Sequence, residues 1–383
     1  MFNSITINYD KVTHTLGQIV ECLLFYDEVN LIIKQDCLPD LWQHIGFEGL
    51  DRLREYGLVL YVATNAIACG KFPMCGEDVY YVCLYSADMH YRVCEKSLKA
   101  FFETEKLDRE QTKIVKHYVD ITQEFEFSNN ALAAVHEDIY EHFIHREILQ
   151  QQLREINSSI SMFDRANKYE FRKLEKGFVF DTNMATGEME LKAAQCGQPS
   201  FRFRHKGLLL SMVEVYGLMD FSMQRNSVLY YSPAQSLIVS CKQRNVLDRY
   251  NKDKRTIEDF ERAEVHPFTS IAEVIDSGSK SLEDIVDLLN AAREFKVWKS
   301  QLSDEKSFVE EFDRAMKAEL PWTQRIVGKV LRFLFTQGVG FLSVPMGVVA
   351  NGLDSLIVNN LGCGGWKPAQ FVNGKLKCFM ETK

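Results

Sequence analysis

Apolar residues in the middle of the chain recur at the spacing of an α-helix. Neither Gly nor Pro occurs between Gly76 and Gly177, so no residue in this stretch is expected to interrupt a helix. Asp108 and Gln111 have the spacing of a capping box, and the apolar positions after them continue at helical intervals. This pattern predicts a helix over 108–126.

A second helical pattern follows Ser128 and continues to Lys176. Its apolar positions step mostly by three and four, an average of about 3.5 that is typical of coiled coils. They are Leu132, Val135, Ile139, Phe143, Leu149, Leu153, Ile156, Ile160, Phe163 and Ala166. The spacing predicts a long helical arm that binds a protein partner or a second copy of the chain. The alternative is one long helix buried against its own neighbours.

The N-terminal part has the pattern of a small α/β unit. Three runs are rich in β-branched and aromatic residues and predict strands, at 23–27, 58–63 and 79–85. Short helical patterns lie at 38–44 and 50–56 between the first two strands, and a helix is expected over 88–102 before the arm begins.

The C-terminal half combines strand and helix patterns. The runs 177–182 and 189–194 flank a turn-forming sequence and predict a hairpin. Two more strands, at 201–204 and 227–231, are expected in the same sheet, with a helix over 208–223 between them. Further helices are expected after a Ser281–Asp284 capping pair and over 303–320.

These elements predict a helix-rich α+β fold. The first expected domain, 1–103, is the small α/β unit, and the second, 104–176, is the coiled-coil-like arm. The third, 177–265, is the mixed hairpin and helix domain. The fourth, 266–383, is a helical domain that contains an apolar, Gly-rich tail.

Composition narrows the class of protein. The 383 residues are 46% hydrophobic and 26% charged, which is ordinary for a globular chain. A formal net charge of -8 argues against a surface that coats nucleic acid or anionic lipid as a whole, although a local basic patch stays open. The first residues lack the pattern of a secretion signal, so the ten cysteines are expected as buried thiols in the cytoplasm.

Several cofactor signatures are missing from the sequence. The GlyLys pairs that begin at Gly70, Gly328 and Gly374 lack the earlier glycine of a phosphate-binding loop. The chain has no dinucleotide fingerprint, no serine elbow and no HisGluxxHis zinc helix. Whether the chain is an enzyme therefore stays open at this stage.

One set of residues is compatible with a metal-dependent nuclease. Asp181 ends the predicted strand 177–182, and Glu190 and Lys192 share one face of its expected partner. In such nucleases two carboxylates hold Mg²⁺ or Mn²⁺ while the lysine activates the attacking water. The alternative is a hairpin whose charged side chains face water.

Two weaker clusters have a chemical interpretation. Arg202, Arg204 and Lys206 alternate with phenylalanines, which on a strand places the cations on one face as a local nucleic-acid site. Asp138, His142 and His145 lie within reach of one another on the predicted arm and have donor types that bind a divalent metal. A solvated polar face is the alternative for both clusters.

The segment from Phe333 to Leu353 contains no charged residue. About 20 apolar residues span a bilayer, but four glycines and Pro345 interrupt this segment. One interpretation buries it in the core of the protein against neighbouring helices. The other inserts it conditionally into a membrane.

The two sequence features that are unusual for a globular chain are therefore the amphipathic arm and the apolar tail. They favour an interaction or effector protein that acts through protein contacts, with the nuclease and the membrane-inserting effector as alternatives. The run 270–298 and the closing Gly-Trp-Lys-Pro at 365–368 are similar to modules of bacterial proteins. No family is identified by these residues, and a component of a bacterial stress or defence complex is an expectation for a bacterial protein of this kind.

Overall fold

Helices and strands alternate along the parts of the chain that the structure describes. This computed structural model describes residues 4–9, 15–74, 76–86, 89–138, 169–174, 177–182, 191, 194–195, 205–225, 227–230, 235, 238–239, 269–300 and 371–381. The predicted mixture of α and β structure is confirmed.

A parallel sheet of five strands forms the centre of the described fold. In chain order the strands are β1 (Ser4–Tyr9), β2 (Glu28–Ile33), β3 (Leu58–Ala63), β6 (Thr122–Phe125) and β9 (Val228–Tyr230). Their spatial order is β6-β3-β2-β1-β9, and all neighbours are parallel. Each of β2, β3 and β6 is therefore added on the same side of the sheet, and β9 is added on the opposite side of β1.

One face of the parallel sheet is apolar and is covered by helices. The described helices are α1 (Leu16–Phe25), α2 (Leu38–Arg54), α3 (His90–Phe101), α4 (Arg109–Ile121), α5 (Asn129–Asp138), α6 (His205–Gln224), α7 (Thr269–Asp276), α8 (Leu282–Ser300) and α9 (Lys377–Glu381). α1 to α4 and α7 to α9 all contribute to the core on this face. Ile5 and Ile7 of β1 are fully buried there.

Local sequence explains where several of these helices begin and bend. Asp108 caps α4 through a hydrogen bond of 2.8 Å from the Gln111 N–H, and the Gln111 side chain returns a bond to Asp108. Ser281 caps α8 in the same way with Asp284. α2 bends at Gly46, whose φ of 73° is a conformation that glycine adopts readily.

The second sheet of the described fold is antiparallel. Its strands are β4 (Asn65–Met74), β5 (Glu77–Ser86), β7 (Tyr169–Leu174) and β8 (Gly177–Thr182), in the order β4-β5-β8-β7. One face of the β4–β5 hairpin packs against α5 and α6 in a second core. The two cores lie on opposite faces of the parallel sheet, since neighbouring residues of its strands alternate between them.

Several predicted elements are confirmed. The strands at 58–63 and 79–85 correspond to β3 and β5, and the helix expected over 208–223 is α6. The helix expected over 88–102 is α3, and α4 forms the first part of the helix expected over 108–126.

Other predicted elements are wrong. Residues 23–25 end α1 instead of forming a strand, because a short apolar run fits a buried helix as well as a strand. Residues 122–125, assigned to a helix, form β6 and pair with β3. The helical patterns at 38–44 and 50–56, in contrast, are confirmed, since they correspond to the two parts of α2 on either side of its bend. Strand 227–231 was expected beside the hairpin, but β9 joins the parallel sheet.

The predicted arm and tail are described only in part. α4 and β6 belong to the parallel-sheet fold, while residues 139–168 of the arm lie outside the described residues. The helix expected over 303–320 and the apolar segment 333–353 also lie outside them. Coiled-coil formation and the burial of the tail therefore stay predictions.

Candidate functional site at the carboxyl edge of the parallel sheet

The order of the strands in the parallel sheet reverses between β1 and β9. β2, β3 and β6 follow one another on one side of β1, whereas β9 lies on its other side, so the order of the strands reverses at β1. In open parallel sheets, ligands bind at such a reversal, beyond the carboxyl ends of the strands. The ends concerned are Tyr9 of β1 and Tyr230 of β9, with Ile33 of β2 beside them.

β1 carries a polar face in a position where apolar residues are usual. Ser4, Thr6 and Asn8 alternate with Ile5 and Ile7, so the polar side chains lie on the side of the sheet opposite to the helix-covered core. Strands inside parallel sheets are normally apolar on both faces. Thr6 is 0% exposed and Asn8 is 1% exposed, so these polar groups are buried and need partners.

Asn8 and Lys34 meet at Glu214. Glu214 lies on α6, which crosses this face, and its Oε1 accepts a hydrogen bond from Nδ2 of Asn8. The other oxygen, Oε2, lies 2.8 Å from Nζ of Lys34, the residue that follows β2. The Lys34 side chain is 31% exposed and that of Glu214 is 15% exposed, so the ion pair lies at the rim of a buried polar region.

Asn8 retains an unused acceptor in this arrangement. Its Oδ1 is buried and has no hydrogen-bond partner within the described part of the chain. A buried carbonyl oxygen without a donor costs about 1–3 kcal/mol unless a water or a ligand supplies one. The Asn8 Oδ1 therefore has the capacity to accept one further hydrogen bond.

The same polar face continues along β1 and β2 below this site. Thr6 and Ser227 share a hydrogen bond of 2.6 Å between their hydroxyl oxygens. Asn30 of β2 donates to Ser4 at 2.8 Å, but its own Oδ1 has no partner, and Ser222 Oγ has none either. These buried groups extend the polar face of β1 onto β2.

The N-terminus of α1 is already occupied by the protein. Doubly wound folds often bind a phosphate where the first helix begins, on its free N–H groups. Here Thr15 and Gln18 form a capping box, and the N–H of Gly17 donates to Oδ1 of Asp276 at 2.9 Å. The carboxylate of Asp276 takes the position of an anion, which agrees with the missing glycine-rich loop.

The proposed nuclease residues are described only in part. Asp181 lies on β8, where it is opposite Glu170 of β7 in the register of the two strands. Glu190 and Lys192 lie outside the described residues. The neighbouring Leu191 is helical and exposed, whereas the prediction placed it on a strand beside Asp181. The nuclease site itself stays a prediction.

The other two predicted clusters are also incomplete. Lys206 lies in the first turn of α6, and Arg202 and Arg204 lie outside the described residues. Asp138 ends α5, and His142 and His145 lie outside the described part as well. Within that part, no three His, Cys, Asp or Glu side chains are grouped to hold a metal ion.

Sequence reasoning missed the site at the carboxyl edge. The alternation Ser-Ile-Thr-Ile-Asn over residues 4–8 was a visible signal for a strand with one polar face. Lys34 and Glu214 had no such signal, because they are far apart in the chain and meet only when α6 crosses the sheet.

Comparison with known proteins adds no information about function. No family model, no curated protein and no solved structure is significantly similar to this chain. Among the helices that the structure describes, none is both long enough and apolar enough to cross a membrane.

Proposed function

We propose that the parallel-sheet domain binds a small polar ligand at its carboxyl edge. The observation that carries this proposal is the buried, partnerless Oδ1 of Asn8 beside the Glu214–Lys34 pair, at the reversal in strand order. Ligand sites contain a few polar groups in fixed positions, and Glu214 holds both Asn8 and Lys34 in place.

The chemistry of the site restricts the ligand. Asn8 Oδ1 accepts a hydrogen bond, so the ligand supplies a hydroxyl, amino or amide donor at that point. Lys34 places a positive charge at the rim, opposite the ligand's acceptor oxygens. Because Asp276 occupies the N-terminus of α1, a phosphate group at that position is disfavoured. A sugar, a nucleoside or an amino acid has the required groups.

Ligand-dependent thermal unfolding tests this proposal. Nucleosides, monosaccharides and amino acids are added singly at millimolar concentration to the full chain. At 100 times its dissociation constant a ligand stabilises the folded state by about 2.7 kcal/mol, which raises the melting temperature measurably. The stabilisation is expected to disappear in Asn8→Leu and to weaken in Lys34→Met.

Lys71→Met is the matched control for the lysine variant. Lys71 forms an ion pair of 2.6 Å with Asp78 on the hairpin, far along the chain from the site, and should leave the response unchanged. If no compound of the three classes stabilises the wild type, or if Asn8→Leu responds equally, the ligand-binding proposal is wrong.

We also propose, as a second function, that the chain acts through protein contacts, as an effector or as part of a bacterial stress or defence complex. The observation in favour is the outer face of the β4–β5 hairpin, where Tyr81 is 39% and Tyr85 is 53% exposed. Alternation places both tyrosines on the face away from α5 and α6, and β4 is an edge strand among the described strands. Exposed aromatic side chains are enriched at protein interfaces.

Light scattering of the full chain tests this second function for self-association. A concentration-dependent mass that Tyr85→Lys abolishes supports contacts through the hairpin, whereas dependence on Leu153→Asp supports the predicted arm. Two results together would reject contacts through this face. The chain would be a monomer at all micromolar concentrations, and pull-downs would capture no partner whose binding is lost in Tyr85→Lys. A cytoplasmic location is part of the same proposal, and the thiols of Cys22, Cys83 and Cys94 support it.

A further inference from the structure

Glu21 is a buried acid in the middle of α1. Its side chain is 0% exposed, and neither carboxyl oxygen has a hydrogen-bond partner among the residues that the structure describes. Acidic side chains are almost never fully buried unless they are paired. The position of Glu21 is therefore costly for an ionised carboxylate and tolerable only for a protonated one.

Glu21 lies at the interface between α1 and α7. Gly17 of α1 packs on the backbone of Ala272 in α7, and its N–H donates to Asp276 at the end of α7. Glu21 follows Gly17 by four residues, so both lie on the same face of α1. The acid is consequently covered by the element that Gly17 and Asp276 hold in place.

Among the described residues, the groups that face Glu21 include no cation. Asp276 of α7 faces it, Tyr230 of β9 and Cys22 of α1 lie near it, and the other acid of α7, Glu273, is exposed. α8 contributes apolar side chains to this core, while its Lys296 lies beside Asp27, beyond the end of α1. The cation that follows α7, Lys280, lies over the ring of Phe379.

Burial raises the pKa of Glu21 well above its ordinary value, and the negative charge of Asp276 raises the pKa further. When α7 separates from α1, Glu21 becomes hydrated and its pKa returns towards the usual range. The docked state therefore binds the proton more tightly than the separated state, and deprotonation favours separation.

We propose that Glu21 and Asp276 form a pH-sensitive latch that holds α7 on α1. Below the ordinary titration range of a glutamate, Glu21 is neutral in both states and docking has its full strength. As the pH rises from there to the titration point of the docked state, docking weakens, because ionised Glu21 must leave the apolar interface beside Asp276. This latch is independent of ligand binding at the carboxyl edge.

Hydrogen exchange of the full chain tests the latch. Protection factors, which remove the intrinsic pH dependence of exchange, are measured for the amides of 271–276 and for Gly17 from pH 5 to 9. The opening constant should rise by up to about tenfold per pH unit in the wild type, since one proton is released on opening. The amides of β2 serve as the internal reference.

Two variants distinguish a latch from general destabilisation. Glu21→Gln keeps the size of the side chain and should make the protection of 271–276 independent of pH, while Glu273→Gln on the exposed side of α7 should behave like wild type. Asp276→Asn should make the rise of the opening constant end at a lower pH and reduce its total size, because it removes the charge that raises the pKa of docked Glu21. The Asn side chain keeps an oxygen that can accept from the Gly17 N–H. Flat protection in the wild type, or an equal slope in Glu21→Gln, overturns the proposal.

Discussion

Gly17 and Ala272 pack backbone against backbone, so that a Cβ on Gly17 would lie 2.4 Å from the carbonyl oxygen of Ala272. No flexible side chain can move aside at this contact, because the neighbouring atoms are backbone. The contact sets how closely α7 approaches α1 and how deeply Glu21 is buried beneath it.

Gly17→Ala is therefore expected to destabilise the protein. Overpacking of this kind costs about 1–3 kcal/mol, since α7 must move away from α1 to admit the methyl group. Equilibrium unfolding in urea measures the loss. Gly49→Ala in α2 is the matched control, because its new methyl would meet the Cγ2 methyl of the Ile45 side chain and no backbone atom. Equal losses in both variants would contradict the role of the Gly17–Ala272 contact.

The Glu214–Lys34 pair is expected to be energetically coupled. Glu214→Gln and Lys34→Met should each cost about 1–3 kcal/mol, because each leaves a partly buried polar group with a weaker partner. The double variant should lose less than the two single losses together, with a coupling of about 0.5–3 kcal/mol. A double-mutant cycle in urea measures this coupling.

The exposed pair Lys71–Asp78 is the control cycle. Its side chains are 42% and 51% exposed, so water screens the pair and the expected coupling is below about 1 kcal/mol. A coupling for Glu214–Lys34 no larger than that of the exposed pair would show that burial does not strengthen the interaction.

Lys296 makes stability depend on pH at the alkaline end. Burial lowers the pKa of Lys296 to about 8, although Asp27 opposes the shift and Arg293 adds to it. The unfolded state thus holds a proton that the folded state has lost, and stability rises with pH from about 8 to about 10.5. The gain is at most about 3 kcal/mol.

The difference in unfolding free energy between the wild type and Lys296→Met isolates this effect, because other titrating groups are common to both proteins. The wild type should gain stability relative to the variant as the pH rises through this window. Lys113→Met, at a lysine that is 61% exposed, should show no such trend. A difference that is constant with pH would contradict the prediction for Lys296.

Trp42 joins α2, α3 and α4 in the helix-covered core. It is 1% exposed, and its ring centroid lies 5.1 Å from that of Tyr118 and 5.9 Å from that of Phe101. Trp42→Ala should cost about 3–5 kcal/mol, as is usual when a large core side chain is removed. Val297→Ala, at a position that is 54% exposed, should change the unfolding free energy by less than about 0.5 kcal/mol. Similar losses for the two would contradict this assignment of the core.

Part of the fold could be predicted because its signals are local. The capping pairs Asp108–Gln111 and Ser281–Asp284 mark the starts of α4 and α8 within four residues of sequence. β3 and β5 were recognisable from their β-branched and aromatic composition. The run at 23–27 was misread, since the residues before Tyr26 are buried on every side and show no periodicity that separates helix from strand.

The candidate site could not be predicted as a whole. The alternation of residues 4–8 predicts the polar face of β1, but it does not predict which element covers that face. Lys34 and Glu214 are separated by most of the first half of the chain, and no local pattern relates them to Asn8. Their meeting depends on α6 crossing the sheet beside β1.

By itself, the sequence determined the mixed composition of helices and strands, the capped starts of α4 and α8, and the absence of a glycine-rich phosphate loop. These properties depend on residues within a few positions of one another, where backbone propensity and side-chain caps act directly. Only the tertiary structure decided that β9 lies beside β1, that Asp276 occupies the N-terminus of α1, and that Glu21 is buried. These relations arise from the burial of apolar surface between distant segments, which no local pattern encodes.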